Sequence, residues 1–234
     1  MRLEVLKAMN SARRERRAGA IVTRLSDGGQ RFVPAEALGS DPLAAEIDSA
    51  LRMNRSGTVV VGEESFFLTV QTPPPRLVLI GAVHISQALT PMARLAGLDA
   101  TIIDPRTGFA TAERFPDTAV VAQWPDEALA AAPPDRYTGV CLLTHDPKID
   151  DPALKIALAS DCFYIGALGS KKTHAKRLER MRAEGFAESA LARIHAPIGL
   201  DIGAVSPAEI AVSIVGEIVA ALRKKPLRAE SAAA

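Results

Sequence analysis

The pattern of hydrophobic and polar positions changes at a run of three prolines, residues 73–75. Before this run, short apolar stretches mix helical and strand spacing; after it, apolar strands alternate with amphipathic helices. A proline run is stiff and extended, which suits a linker between domains. We therefore predict a small domain at 1–72, a proline linker at 73–75, a larger domain at 76–226 and a flexible tail at 227–234.

The N-terminal part has the spacing of two helices and four strands. The apolar positions of Leu3–Arg17 predict one helix, and Asp41 followed by Pro42 predicts the start of another that runs to about Asn54. A turn at Glu63-Glu64 is expected to join the last two strands as a hairpin. The predicted strands are Ala20–Leu25, Arg31–Val33, Gly57–Gly62 and Phe66–Val70. This composition of elements predicts a small α+β domain.

The C-terminal part alternates apolar strands with helices. The predicted strands are Leu77–Ile80, Ala100–Ile103, Ala119–Ala122, Gly139–Leu143, Phe163–Ala167 and a short one near Ile194. The predicted helices are His84–Ala96, Glu127–Ala131, Pro152–Ser160, Lys171–Glu184 and Pro207–Arg223. Such alternation predicts a parallel sheet with helices on both faces, an α/β fold of the Rossmann-like kind.

The first strand, turn and helix of this part contain an incomplete dinucleotide-binding motif. Asp104 ends the second strand and follows Gly81 at about the 20-residue spacing of that motif. Where G-x-G-x-x-G would place its three glycines, the chain has Gly81, Val83 and Ser86. The middle glycine normally lets a pyrophosphate approach the backbone, and a β-branched valine obstructs it. NAD(P) is therefore a possible ligand that Val83 disfavours.

Polar residues gather where the predicted strands end. In an open parallel sheet, ligands bind beyond the carboxyl ends of the strands, so these side chains are candidates for one site. The alternative for each histidine is that it caps a loop or a helix end. The residues concerned are His84, Asp104, His145, Asp146, His174, His195 and Asp201.

Two glycine-containing loops add to these candidates. In the first, Gly169, Ser170 and Lys171 lead into a helix whose amides and dipole suit a phosphate, or else form a plain turn with Ser170 as the N-cap. In the second, Gly199 and Gly203 follow His195 and suggest backbone packed against a ligand.

Composition restricts the function classes further. With 48% hydrophobic and 24% charged residues and a net charge of +1, the chain is ordinary for a globular protein and shows no bias towards nucleic acid. The basic cluster Lys171–Arg182 is interpreted as a solvated helix face. Cys141 and Cys162 are expected to be small buried residues in a reducing cytoplasm. We expect no membrane span and no metal site.

Four segments together resemble one known family. They are GAVHISQAL with the later IIDPR, LTHDPKID, YIGALGSKKTHAKR and IHAPIGLDIGAVSPAEIAVSI, and they span about residues 76–220. In this order they resemble the C-terminal domain of the XdhC/CoxI family, the xanthine dehydrogenase accessory proteins. The resemblance implies a chaperone, more than an enzyme, that binds the molybdenum cofactor. It also implies that a cysteine desulfurase sulfurates the cofactor, and that the client is an apo hydroxylase of the xanthine or carbon monoxide dehydrogenase type.

The sequence departs from the family pattern in two places. The family turn that commonly reads GAGH is here Gly81-Ala82-Val83-His84, and residues 1–72 contain no cysteine, where many members have one. An NAD(P)-dependent oxidoreductase that uses Asp104 for a ribose and His145 or His174 as proton donor remains the main alternative, and an interaction module, or a homodimer, stays open. The predicted cofactor-binding residues are Gly81, His84, Asp104, Arg106, His145, Asp146, Gly169, Ser170, Lys171, His174, His195, Gly199 and Asp201, with no catalytic residue among them.

Overall fold

The computed structural model describes residues 2–223, which form two compact units that divide between Pro73 and Pro74. The predicted tail at 227–234 and the last residues of the predicted C-terminal domain lie outside the described residues. The linker at 73–75 stays a prediction. No helix within residues 2–223 has the length and apolar character needed to cross a membrane.

The N-terminal unit is a four-stranded antiparallel sheet with helices. Its elements are α1 (Leu3–Arg14), β1 (Gly19–Arg24), β2 (Gln30–Pro34), a 3-10 helix (Ala35–Ser40), α2 (Ala44–Met53), β3 (Gly57–Val61) and β4 (Glu64–Gln71). The strands lie in the order β2-β1-β4-β3. The core of the unit consists of alternate strand residues and the inner face of α2: Ala20, Val22, Val33, Leu43, Ile47, Phe66 and Leu68.

Two predictions in this unit are wrong in detail. The hairpin turns at Gly62-Glu63 because Val61 pairs with Glu64 and Gly62 adopts a φ of 62°. The second helix starts at Ala44, three residues after Asp41. The Asp41 carboxylate accepts a hydrogen bond from the Leu43 amide at 2.9 Å and so forms a turn ahead of the helix.

The C-terminal unit is a parallel α/β sheet, as predicted. Its elements are β5 (Arg76–Ile80), α3 (His84–Leu95), β6 (Asp99–Ile103), β7 (Ala119–Val121), α4 (Pro125–Ala131), β8 (Thr138–Leu142), α5 (Pro147–Ala159), β9 (Tyr164–Ala167), α6 (Lys171–Ala183), α7 (Glu188–Leu191), β10 (Ile194–His195) and α8 (Pro207–Arg223). The six strands lie in the order β10-β9-β8-β5-β6-β7, and all pairs are parallel. This is the strand order of doubly wound dinucleotide-binding folds.

Helices cover both faces of the parallel sheet. On one face, α3 and α8 pack together over Leu77, Leu79 and Ile102. On the other face, α4, α5, α6 and α7 share a core with Val140 and Ile165. Because both faces are covered, the strands are mostly apolar, which is what made them recognisable in the sequence.

Helix α5 begins five residues earlier than predicted. Its N-cap is Asp146, whose carboxylate accepts a hydrogen bond from the Lys148 amide at 2.9 Å, and Pro147 occupies the first helical position. The proline taken as the start of the helix, Pro152, lies inside it. The earlier start brings the N-terminus of α5 close to the end of β8.

Hydrogen bonds hold the start of α8, and the prediction that both cysteines are buried is confirmed. Ser206 and Glu209 form the reciprocal pair that starts α8: the Ser206 hydroxyl accepts from the Glu209 amide, and the Glu209 carboxylate accepts from the Ser206 amide. Both cysteines are buried; burial raises the pKa of the Cys141 and Cys162 thiols. They are therefore packing residues with little thiolate character.

Candidate functional site

The centre of the parallel sheet provides a natural ligand-binding edge. Strands β5 and β8 are neighbours, and the chain continues from them towards opposite edges of the sheet. The loops that follow such strands diverge and leave a crevice at the carboxyl end of the sheet. Here these loops are Gly81–Val83, after β5, and Leu143–Asp146, after β8.

The two loops approach each other so closely that Gly81 must be a glycine. Its φ is 120°, and an added Cβ would lie 2.8 Å from the Thr144 side chain. Ser86, which stands where the motif has its third glycine, is buried and donates its hydroxyl to the Gly81 carbonyl at 2.6 Å. The first turn of α3 is thus tied to the loop by a side chain.

Asp104 has no free acceptor position. It is 0% exposed. Its carboxylate accepts hydrogen bonds from the Ala82 amide at 2.8 Å, from the Arg106 amide at 2.9 Å, and from two Arg106 guanidinium nitrogens at 2.9 and 2.7 Å. Burial opposes ionisation, but these hydrogen bonds outweigh it and lower the pKa of Asp104. A carboxylate has about four acceptor sites, so this one holds the loop instead of meeting a ribose.

The carbonyl of Ala82 is also committed. One guanidinium nitrogen of Arg114 donates to the Ala82 oxygen at 2.9 Å and to the Phe109 oxygen at 2.8 Å. Val83 precedes α3 as an N-cap without a side-chain hydrogen bond and packs at the margin of the apolar core. The amide and the carbonyl of Ala82 are therefore both hydrogen-bonded within the protein.

The polar side chains at this edge come from three loops. Hydrogen bonding to Asp104 is the main cause of a raised pKa at Arg106, and the charges of Asp146 and Asp150 raise the pKa further. His145 stands between β8 and α5 in a left-handed conformation with φ of 63°. The structure thus groups six predicted site residues at the switch point of the sheet: Gly81, His84, Asp104, Arg106, His145 and Asp146.

A second group of predicted residues lies at the start of α6. The Ser170 hydroxyl accepts a hydrogen bond from the Thr173 amide at 3.2 Å, so Ser170 is the N-cap, the plainer of its two predicted roles. Gly169 has a φ of 129° and Lys171 is exposed. The Nδ1 atom of His174 is buried with no hydrogen-bond partner in the described chain, and burial lowers the pKa of its ring.

A pocket of about 210 Å³ lies between α5 and α6 beside His145. Sequence reasoning missed most of its polar residues, which are Asp150, Asp151, Lys172, Lys176, Arg177 and Arg180. The interpretation of the basic cluster as a solvated helix face is wrong at Arg177, which is 2% exposed. The four-residue spacing of Lys172, Lys176 and Arg180 was the available signal, because it places them on one side of a helix.

The third group lies at the β10 edge, separate from the switch point. His195 Nδ1 is 3.0 Å from a Glu217 carboxylate oxygen, and the other oxygen accepts from the Tyr164 hydroxyl at 2.5 Å and the Gly199 amide at 2.8 Å. Three strand spacings, about 14 Å, separate β10 from β5. The structure therefore does not bring His195 to the switch point, and Gly199 belongs to the same group through Glu217. Asp201 is exposed in the loop that leads to α8.

Comparison with known proteins identifies the family. Residues 77–218 match the XdhC Rossmann domain, which is more than half of the chain. The chain belongs to the XdhC family. The match covers all of the parallel sheet except its first residue, and most of α8, so it includes the switch point, the α5–α6 pocket and the β10 edge.

Several XdhC relatives are longer than this chain. The chain is 32% identical over 186 residues to the uncharacterized protein YqeB of Escherichia coli K12 and 30% identical over 156 residues to a probable xanthine dehydrogenase subunit of Bacillus subtilis 168. It is 30% identical over 178 residues to the molybdenum cofactor insertion chaperone PaoD of E. coli K12. These matches cover 75%, 66% and 76% of this chain but 33%, 45% and 48% of the relatives. The chain thus spans a third to a half of their length.

The fold of this XdhC chain has also been seen in a crystal. It aligns with the crystal structure of a xanthine dehydrogenase from Bacillus halodurans with a TM-score of 0.66 and 21% sequence identity. The alignment covers 97% of this chain and 66% of that one. At this identity the likeness supports the fold.

Proposed function

We propose that the protein is an accessory factor that binds the molybdenum cofactor and supports the maturation of a hydroxylase. In this proposal the cofactor receives its sulfido ligand from a cysteine desulfurase while bound, and then passes to an apo-enzyme of the xanthine or carbon monoxide dehydrogenase type. The observation that carries the proposal is the similarity to the cofactor insertion chaperone PaoD, which extends over 76% of this chain.

The chemistry of the switch point supports this cargo. A pterin offers several hydrogen-bond donors and acceptors, and the cofactor carries an anionic phosphate. The loops at this edge present a cation, Arg106, two histidines, His84 and His145, and a carboxylate, Asp146. Since Asp104 is spent on holding Arg106, we assign it a positioning role.

The geometry disfavours the NAD(P)-dependent alternative. Asp104 would have to release at least one of its four donors to bind a ribose hydroxyl, and the Ala82 amide points at Asp104 instead of at a pyrophosphate. Removing those hydrogen bonds would leave buried groups unpaired, which costs about 1–3 kcal/mol for each group.

The test is reconstitution with the cofactor. Purified protein is mixed with molybdenum cofactor, freed of unbound ligand by gel filtration, and assayed for retained pterin by fluorescence after oxidation. The same sample is added to an apo-hydroxylase and the recovered activity is measured. We expect about one pterin per chain and faster activation than with free cofactor. If no pterin is retained and activation is not improved, the proposal fails.

Variants of the switch point locate the binding. His145→Asn keeps a residue that tolerates the left-handed backbone while it removes the imidazole, and together with His84→Ala it is expected to lower pterin retention. Arg94→Gln is the control. It lies ten residues along α3 from His84, about 15 Å away, and loses only an exposed ion pair with Asp117. An equal loss in all three variants would contradict binding at this edge.

A further inference from the structure

The α5–α6 pocket contains a buried cation that the protein itself does not satisfy. Arg177 is 2% exposed, and one guanidinium nitrogen donates to the Leu168 carbonyl at 2.9 Å. Its Nε and Nη1 atoms are buried and have no hydrogen-bond partner within residues 2–223. Buried guanidinium nitrogens are nearly always paired, because losing water without a replacement is costly. A guanidinium that lines a pocket with two free donors points to a ligand that accepts them.

The opposite wall supplies a matching buried carboxyl group. Asp150 on α5 is 2% exposed, and its Oδ1 accepts the Thr144 hydroxyl at 2.7 Å. Its Oδ2 is buried with no partner in the described chain. Burial, with a smaller contribution from Asp151, raises the pKa of Asp150 to about 6. When protonated, this group is a hydrogen-bond donor that faces the same space as Arg177.

The charge of the pocket is unbalanced towards cations. Arg180 is neutralised by Asp151, which accepts two hydrogen bonds from it at 2.6 and 2.9 Å. Lys172 and Lys176 are exposed and have no ion pair in the part of the chain that the structure describes. Three cations, Lys172, Lys176 and Arg177, therefore line the pocket together with one carboxyl group of raised pKa, that of Asp150. An anion is the ligand that this arrangement favours.

The size of the pocket restricts the anion. Its volume of about 210 Å³ lies below the roughly 300–1,000 Å³ of pockets that enclose a drug-sized ligand. A compact group with several acceptor oxygens fits this space, and the planar fork of an arginine suits two of those oxygens at once. Phosphate has this form, either free or as the end of a larger molecule.

We propose that the α5–α6 pocket binds a phosphate-class anion, inorganic phosphate or a phosphomonoester, at the Arg177 guanidinium, with Lys172 and Lys176 at its mouth and the Asp150 carboxyl on the opposite wall. His145 is one of the residues that line this pocket. The site is distinct from the Gly169-Ser170-Lys171 turn, where Ser170 caps α6. It does not depend on the cofactor proposal, because it is defined by the anion alone.

The test is isothermal titration calorimetry of the full chain at low ionic strength, with inorganic phosphate and, separately, with phenyl phosphate. We expect 1:1 saturable binding of at least one of them. Tighter binding of phenyl phosphate would identify a phosphomonoester as the source of the anion, and tighter binding of inorganic phosphate would identify the free ion. No saturable binding of either probe overturns the proposal.

Variants show whether the pocket is responsible. Lys172→Gln and Lys176→Gln change exposed residues and should each weaken binding about 2- to 5-fold, the scale of one exposed charge pair. Arg177→Met should weaken it about 30-fold or more, which is the scale of lost charge-assisted hydrogen bonds. Because Arg177 also donates to the Leu168 carbonyl, the fold of the Arg177→Met variant is checked by circular dichroism. If that variant unfolds, the two lysine variants still decide the test.

Two further variants provide the controls. Lys155→Gln on α5 removes the same charge from an exposed pair with Glu184 and should change affinity less than 2-fold. If Lys171→Gln abolishes binding while Lys172→Gln and Lys176→Gln leave it intact, the anion binds at the turn and the pocket proposal is overturned. If phosphate binds as expected but no pterin is retained, the cofactor proposal fails and this site stands.

Discussion

Replacement of Asp104 by asparagine tests the account of the central loop most directly. The change preserves the volume of the side chain but turns one carboxylate oxygen into an NH2 group. Each oxygen accepts two N–H donors, so in either orientation the amide faces two donors, from Ala82 and Arg106 or from Arg106 alone. Two orphaned buried donors at about 1–3 kcal/mol each give an expected loss of about 2–5 kcal/mol.

The assay is urea unfolding followed by the fluorescence of Trp124, the single tryptophan, which lies in the same unit as Asp104. With an m value of about 2 kcal/mol/M, a loss of 3 kcal/mol moves the midpoint down by about 1.5 M. Asp99→Asn is the matched control, because Asp99 is exposed at the start of β6, and it should change the stability by less than about 0.5 kcal/mol.

The pH dependence provides an independent check of the same hydrogen bonds. The folded pKa of Asp104 is depressed, so its ionisation stabilises the fold above its ordinary value of 3.8, and this contribution is lost as the pH falls through the folded pKa. The difference between wild type and Asp104→Asn should therefore narrow below about pH 4. A midpoint shift no larger than that of Asp99→Asn at pH 7 would refute the reasoning.

Three further predictions concern other parts of the C-terminal unit. Val83→Gly should give no saturable NAD(P) binding in a fluorescence titration, because the Ala82 amide stays bonded to Asp104; saturable binding would mean that the valine alone had blocked a working site. The wild type should lose about 1 kcal/mol of stability in urea unfolding between pH 5 and 7.5, because the pKa of Asp150 is raised to about 6 in the folded protein and the stability that its protonated form contributes is lost as the pH rises. Asp150→Asn should abolish this loss, and identical pH profiles of the two proteins would contradict the prediction. Gly199→Ala should lower the free energy of unfolding by about 2–4 kcal/mol, because φ is 95° and the new Cβ would lie 2.3 Å from a hydroxyl oxygen, whereas Gly108→Ala, which has open space, should change little.

The polar residues were harder to predict than the elements. The ends of strands marked Arg106, His145 and Asp146 as residues of one edge, and the structure places them in loops that follow β6 and β8 at that edge. Nothing in the local pattern distinguished Asp104, whose carboxylate is consumed by its own neighbours, from an aspartate that meets a ligand. Nor did it reveal Glu217, which comes from the middle of α8 to bind His195.

The α/β class, the parallel sheet and the family could all be predicted from the amino-acid pattern, because strands buried on both faces are mostly apolar and are separated by helices of regular period. Tertiary structure decided which polar groups are free. The strand order sets β10 three strands from β5 and so divides the predicted histidines into separate groups. Packing of α6 against α5 buries Arg177 while its neighbours on the helix stay in solvent. Whether a polar atom is paired depends on residues that are distant in the chain. The spacing of residues along one helix carries no information about those distant residues.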